Sequence, residues 1–240
     1  MNIQKTLTAG AISGAFLICQ SQGVTLASDD FSYPDGSLVP NGGWANHSGA
    51  EGDLLVAGGA AVIQHGTPSE DANLVFDAQA GGVITATFDI TVNDDSVIGT
   101  GGTDYEYFAH FFTSGSFNFR SRLDVVAPND TGDYSLGLSS QTSTAEATLV
   151  SDFNFGDTVS VSLSFDLADG TGSLTVNGET ISGSSNDPGQ SINAIGFRQS
   201  DSSNNEKVIV DNLVVSTNVP EPSTALLGGM ALLGLLRRRR

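Results

Sequence analysis

Acidic side chains that could work as a catalytic pair are the first residues to consider, because most glycoside hydrolases place two carboxyl groups about 5 to 10 Å apart. Residues two apart on a strand share a face, so the nearest approach to such a pair is Asp104 with Glu106. The longer pattern E-x-D-x-x-E is absent from the sequence. No serine lies in a G-x-S-x-G turn, and no metal-ligand spacing relates the three histidines, which are His47, His65 and His110. The sequence therefore predicts no catalytic residues.

Aromatic side chains that could stack on a sugar ring are a second possibility for chemistry. We predict Trp44 and Tyr33 as glycan contacts, with Tyr105 and Tyr107 as further candidates. Trp44 is the only tryptophan in the chain. Glycines precede it, and Asn46 and a histidine follow it, so its surroundings in the sequence are typical of a loop. A tryptophan that closes the edge of a β-sandwich is the alternative, and the sequence leaves both open.

Two oxygen-rich turns are candidates for a calcium site, because hard cations prefer carboxylate and carbonyl ligands. One turn contains Asn93, Asp94 and Asp95, and the other runs from Asp166 through Asp169. Neither matches an EF-hand loop, and such turns are abundant without metal, so calcium is left open as an alternative and no ligands are assigned. No other cofactor is predicted.

The elements that must position these residues are strands, because apolar and polar residues alternate along most of the chain. No segment of the body has a convincing 3.6-residue period. An Asn177–Gly178 turn joins two of the strands and is typical of a tight hairpin. The predicted strands are Asp53–Gln64, Asn73–Phe76, Val83–Val92, Tyr105–Thr113, Phe117–Val125, Tyr134–Ser139, Glu146–Asp152, Thr158–Asp166, Gly172–Val176, Glu179–Ser182, Ile192–Arg198 and Lys207–Ser216.

About a dozen strands with frequent turns predict an all-β sandwich. Two small sandwiches are the rival, but no linker or repeat divides the chain, so a single jelly roll over residues 28–218 is favoured. The opening, Asp30–Gly36 followed by Trp44, and the close, Val208–Val215, resemble bacterial laminin-G/concanavalin A-like domains. That resemblance implies that the first and last strands lie side by side.

The charge of this body is strongly negative. It keeps four basic residues, Arg120, Arg122, Arg198 and Lys207, against the 26 acidic residues that remain when Glu221 is set aside, a formal charge of −22. Such a surface repels phosphate backbones, so we expect no binding of nucleic acid.

The N-terminus has the features of a secretory signal peptide over residues 1–27. Lys5 precedes an apolar stretch from Leu7 to Cys19, and small residues stand before a cut between Ala27 and Ser28. Export through the Sec translocon would remove the only cysteine, Cys19, so no disulfide is expected in the mature body.

The C-terminus, residues 219–240, has the features of a sorting signal. Its apolar stretch of about 13 residues is shorter than the roughly 20 that a permanent membrane helix needs, and arginines remain on the cytoplasmic side. It comprises the motif Val219, Pro220, Glu221 and Pro222, the apolar stretch Thr224–Leu236, and the stop Arg237, Arg238, Arg239 and Arg240. This tail resembles the PEP-CTERM sorting signal. The resemblance implies an exosortase as partner, Pro220–Pro222 as the recognition motif, and a Gram-negative bacterium that makes exopolysaccharide.

These features together predict an exported protein that is anchored in the inner membrane by a short C-terminal transmembrane helix until it is processed. Its destination is the cell surface or the extracellular matrix. A non-catalytic body that can bind extracellular polysaccharide is favoured. A secreted polysaccharide hydrolase or lyase and a purely structural coat protein remain the alternatives.

Overall fold

Two antiparallel sheets make up the part of the chain that the computed structural model describes, namely residues 23–94, 98, 107–140, 142, 144–185, 187–200 and 206–218. The nine-stranded sheet contains β1 (Val24–Asp29), β2 (Gly36–Ser37), β4 (Leu55–Ala57), β5 (Ala60–Gln64), β7 (Val83–Val92), β12 (Thr158–Asp166), β13 (Thr171–Val176), β14 (Glu179–Ser185) and β16 (Lys207–Asn218). The seven-stranded sheet contains β3 (Trp44–Gly49), β6 (Glu70–Gln79), β8 (Ala109–Phe112), β9 (Arg120–Val126), β10 (Ser135–Ser139), β11 (Ala147–Thr148) and β15 (Ile192–Arg198). A 3-10 turn at Asn41–Gly43 is the one helical element among the described residues.

The strand order within each sheet shows why the fold depends on distant residues. The nine-stranded sheet runs β14-β13-β12-β7-β16-β5-β4-β2, with β1 beside β16, and the other runs β11-β10-β9-β8-β15-β6-β3. Strands that are far apart in sequence are therefore neighbours in both sheets. The prediction of an all-β jelly roll is confirmed, since apolar side chains from both sheets meet in one core.

The strict alternation along β7 and β12 explains how these strands build that core. Ile84, Phe88 and Ile90 are at most 2% exposed, while the residues between them face outwards. β12 pairs with β7 over its whole length and contributes Phe165 in the same way. Because side chains alternate between the two faces of a strand, this pattern fixes which face is buried.

Several strand boundaries differ from the predictions for identifiable reasons. The predicted strand Asp53–Gln64 is two strands, because Gly58 and Gly59 both adopt positive φ and turn the chain between β4 and β5. Glu146–Asp152 shortens to β11, and Asn73–Phe76 extends to β6. The strands β1, β2 and β3 were not predicted.

The hairpin at Asn177–Gly178 is confirmed. Both residues have positive φ, 50° and 86°, and Val176 pairs with Glu179 across the turn. These are the conformations that a two-residue hairpin loop of this type requires. The first and last strands also lie side by side, because β1 pairs with β16, as the resemblance implied.

Candidate functional site

Trp44 is a core residue, which corrects the expectation that it contacts a glycan. Its side chain is 2% exposed and stacks on Phe197 with ring centroids 4.8 Å apart. Its indole Nε1 donates a hydrogen bond of 2.7 Å to Oδ2 of Asp29. The ring therefore offers no open face to a sugar, and the alternative role in closing the sandwich fits its position.

Tyr33 lies at the surface beside the same carboxylate. Its hydroxyl donates to Oδ1 of Asp29 at 3.0 Å, and burial, followed by this hydrogen bond, raises the pKa of Tyr33 to about 12. The ring lines an open cavity of about 380 Å³ together with Asp30 and Asn212. A contact between Tyr33 and glycan stays a prediction. Because the hydroxyl already donates to Asp29, such a contact would use the ring of Tyr33.

In one of the two candidate calcium turns, the carboxylates are engaged in local hydrogen bonds. Asp166 accepts from the backbone N–H of Ala168 at 2.8 Å, and Asp169 accepts from that of Thr171 at 2.9 Å. Asp95, like the candidate pair Asp104 and Glu106 and the candidate Tyr105, lies outside the described residues. Within the described ranges, no group of three or more His, Cys, Asp or Glu side chains is placed to hold a metal ion.

A cluster of arginine and aromatic side chains occupies the outer face of the seven-stranded sheet. On β9 and β15 the core residues include Leu123, Ile195 and Phe197, so the residues between them point away from the core. Those outward residues contact a second apolar group that is separate from the main core. We call this the arginine–aromatic cluster; its members are Tyr107, His110, Phe112, Phe119, Arg122 and Arg198.

Two arginines flank the ring of Tyr107. The guanidinium carbon of Arg122 and that of Arg198 each lie 4.6 Å from the ring centroid, within the range of a cation–π interaction. Burial raises the pKa of Tyr107, while the two arginines oppose that rise. Burial lowers the pKa of Arg122, and Arg198 adds to that effect by repulsion.

His110 lies at the centre of the cluster and is 1% exposed. Its ring centroid is 4.1 Å from that of Phe119 and 5.4 Å from that of Tyr107. Neither ring nitrogen has a hydrogen-bond partner among the described residues. Burial, followed by repulsion from Arg122 and Arg198, holds the pKa of His110 well below its usual value, so this imidazole is neutral.

Small residues on the neighbouring strand make room for this ring. Gly196 pairs with His110 across β8 and β15, and a Cβ atom at Gly196 would lie 2.7 Å from Nε2 of His110. Ala194, two residues earlier, contacts the same apolar group. The sequence therefore leaves space on β15 where the aromatic side chains of β8 lie.

Acidic side chains accompany the arginines on this face. Asp71 is opposite Arg198 in the pairing of β6 with β15, and it accepts a hydrogen bond of 2.7 Å from the hydroxyl of Ser48. Burial raises the pKa of Asp71, and Arg198 acts in the other direction. Asp124, fully buried, faces outwards two residues after Arg122. The face thus combines both charges with aromatic rings, in contrast to the acidic remainder of the body.

The rim of the cluster carries an exposed aromatic ring. Phe117 is 69% exposed, and its ring centroid lies 5.0 Å from that of His47, which in turn lies 4.9 Å from that of Phe112. Nearby, Arg120 forms an ion pair of 2.8 Å with Asp187. A cavity of about 180 Å³ adjoins this ion pair and is lined by Thr113, Ser116, Asn118, Arg120, Gln190 and Ile192.

The tail can be assigned by comparison with known families. The family described as the PEP-CTERM protein-sorting motif matches residues 218–240. The C-terminus is a PEP-CTERM sorting motif. The motif implies export, membrane-anchored sorting and processing by an exosortase. It begins at Asn218, the last residue of β16, so the PEP-CTERM segment follows directly on a strand at the centre of the nine-stranded sheet.

The structure describes only some of the residues that the sequence analysis singled out at the two ends. Val219–Pro222, the predicted transmembrane helix and Arg237–Arg240 lie outside the described residues, whereas Ala27 and Ser28 lie in β1. Among the described residues, no helix is long and apolar enough to cross a membrane.

Solved structures similar to this chain have concanavalin A-like folds. A sialidase matches with a TM-score of 0.56 at 17% identity, over 80% of this chain but 18% of the sialidase, so this chain spans only a small part of that protein. Peanut lectin matches with a TM-score of 0.52 at 13% identity, over 82% of this chain and 97% of the lectin. An alginate lyase of polysaccharide lyase family 7 matches with a TM-score of 0.50 at 14% identity, over 82% of this chain and 94% of the lyase. A comparison with curated proteins finds no match. These similarities show the fold only, so any inference about activity must come from the residues of the site.

Proposed function

We propose that this chain is an exported, non-catalytic surface or matrix protein whose β-sandwich binds glycan on the outer face of the seven-stranded sheet. The observation that carries this proposal is the arginine–aromatic cluster with the exposed ring of Phe117 at its rim. Sugars stack their apolar faces on aromatic rings and donate hydroxyl hydrogens to nearby polar groups. Peanut lectin has the same fold, which supports binding as a role for such a sandwich.

The route to this destination begins with the leader and ends with the PEP-CTERM motif. The Sec translocon exports the chain of a Gram-negative bacterium, and the short tail helix holds it at the inner membrane until an exosortase acts. Mass spectrometry of the surface form is expected to find no peptide beyond Pro222. Intact Arg237–Arg240 on that form would contradict removal of the tail.

The charge pattern supports extracellular polysaccharide as the ligand. Two of the four basic residues of the predicted body, Arg122 and Arg198, lie on this outer face, while Lys207 lies on β16. A body with a formal charge of −22 repels acidic polymers elsewhere on its surface. On this face the carboxylates or hydroxyls of a polysaccharide meet the half-buried guanidinium groups of Arg122 and Arg198 and the exposed ring of Phe117.

Binding to alginate and to dextran tests the site with an acidic and a neutral polymer. Phe117→Ala removes the exposed ring and is expected to weaken binding about tenfold, since stacking contributes about 1–2 kcal/mol. Val150→Ala removes another exposed apolar side chain, 82% exposed, and is the matched control with unchanged binding. Equal affinities for both variants and the parent would refute a site at Phe117, and no binding to either polymer or to a glycan array would favour the structural coat protein.

A polysaccharide lyase or hydrolase is the second candidate, favoured by the pairing of His110 with Tyr107. A neutral imidazole without hydrogen-bond partners in the described part, next to a phenol flanked by arginines, can take part in proton transfer. The alginate lyase shares this fold. Turnover of alginate that disappears in Tyr107→Phe while binding persists would establish catalysis; binding without turnover would support the first proposal.

A further inference from the structure

The two ends of the described sandwich meet at one place. β1 runs antiparallel to the last part of β16, with Val24 opposite Thr217 and Ser28 opposite Val214. Gly23 lies against Asn218, because a Cβ atom there would be 3.0 Å from Oδ1 of that residue. The start of β1 is therefore adjacent to the residue where the PEP-CTERM segment begins.

β1 completes the edge of β16 that no other strand covers. β5 pairs only with the first part of β16, Lys207–Val210, and β1 pairs with the rest on that side, up to Thr217. Within β1, Leu26 and Ala27 pack against the core. The strand is therefore part of the folded sheet, not an extension beyond it.

A cut between Ala27 and Ser28 would remove most of this strand. Three of the five registered pairs with β16 would be lost, those of Val24, Thr25 and Ala27. The backbone groups of β16 from Val215 onwards would then have no partner on that side, and the apolar contacts of Leu26 would be lost. Unpaired strand edges are a liability that folded proteins generally avoid.

We propose that signal peptidase cuts between Gly23 and Val24, so that the mature protein begins with β1. The cut needs small residues at the third-last and last positions of the leader, and here these are Ser21 and Gly23. This places the cut closer to the apolar stretch that ends at Cys19 and preserves all five registered pairs. The inference rests on the proposed export but not on glycan binding.

The mature N-terminus of the full-length chain, exported by its host, tests this assignment by mass spectrometry. The expected first residue is Val24. A first residue of Ser28 would overturn the proposal and the argument that β1 is retained, and any other start would overturn the assigned bond. A chain that keeps Met1 or fails to leave the cytoplasm would overturn the export proposal itself, which separates the two failures.

A matched pair of variants makes the assignment specific. Ser21→Gln places a large polar side chain at the third-last leader position of the proposed cut, so the fraction of chains that begin at Val24 is expected to fall at least tenfold. Thr25→Gln makes the same change at the equivalent position before the Ala27–Ser28 bond, on an exposed site of β1, and is expected to leave processing unchanged. The reverse pattern would place the cut at Ala27–Ser28.

Discussion

Replacing Trp44 by phenylalanine tests whether its indole belongs to the core or to a binding site. Nε1 of Trp44 is the hydrogen-bond donor to Oδ2 of Asp29, and that carboxylate is 7% exposed. The other oxygen, Oδ1, accepts from the backbone N–H of Phe31 and from the hydroxyl of Tyr33. The substitution therefore leaves Oδ2 without a donor among the described residues, while Oδ1 keeps both of its partners.

The expected loss of stability is about 3 kcal/mol. A hydrogen bond to a buried charged group contributes about 1.5–3 kcal/mol. The smaller ring leaves space beside Phe197, which adds about 1 kcal/mol. With a urea dependence of about 2 kcal/mol per molar for a domain of this size, the unfolding midpoint is expected to fall by about 1.5 M.

Urea unfolding followed by far-ultraviolet circular dichroism measures this shift for the parent and the variant. Tyr33→Phe is the matched control, because it removes one donor from Oδ1 but leaves the N–H of Phe31 in place. We expect that control to lose less than about 1.5 kcal/mol. A Trp44→Phe protein with the stability of the parent, or one that stays stable and loses glycan binding, would refute the core assignment of Trp44.

Three further substitutions test other parts of the structure. His110 is neutral in the folded state, whereas in the unfolded state it becomes charged below about pH 6.5. The free energy of unfolding is therefore expected to fall by up to about 1.4 kcal/mol per pH unit as the pH drops below that value. His110→Leu is expected to reduce this slope, measured by urea unfolding between about pH 7 and 5. Gly178→Ala is expected to cost about 1 kcal/mol in thermal unfolding because its φ is 86°, whereas Gly81→Ala, with no atom near its added Cβ, is expected to be neutral. Gly196→Ala is expected to cost about 1–3 kcal/mol and to weaken glycan binding, because its Cβ displaces His110, and unchanged binding would show that the ring position is not needed.

The fold could be predicted where one face of a strand is buried. β12 and β15 have the predicted limits, because alternating residues such as Val161 and Leu163 mark the buried face directly in the sequence. β1 was not predicted, because its small and apolar residues are typical of a leader cleavage site as well as of an edge strand. β3 was missed because Trp44 follows two glycines and reads as part of a loop.

The site was harder to predict because it depends on pairings between distant strands. Arg120 and Arg122 are two apart, but the pairing of β9 with β8 shifts register between them, where Ser121 has a positive φ of 47°. Arg120 pairs with the core residue Phe111, so the spacing in sequence does not place both arginines on one face. The contact of Arg198 with the same ring of Tyr107 that Arg122 contacts depends on the order β9-β8-β15 in the sheet, which the sequence does not show. His110 is buried, and its ring nitrogens lack partners in the described part of the chain, which its position in the sequence does not indicate.

The composition of the cluster is difficult to explain by stability alone. A buried neutral histidine without hydrogen bonds and two like charges beside one ring each cost free energy, and apolar side chains of similar size would avoid that cost. The same strands bury Phe111, Ile195 and Phe197 on the opposite face, so the sheet already has an apolar core without these polar groups. Groups that fold stability does not require are expected where a protein contacts something else. For this reason the outer face of the seven-stranded sheet, and not the tryptophan that the sequence suggested, is where glycan binding should be sought.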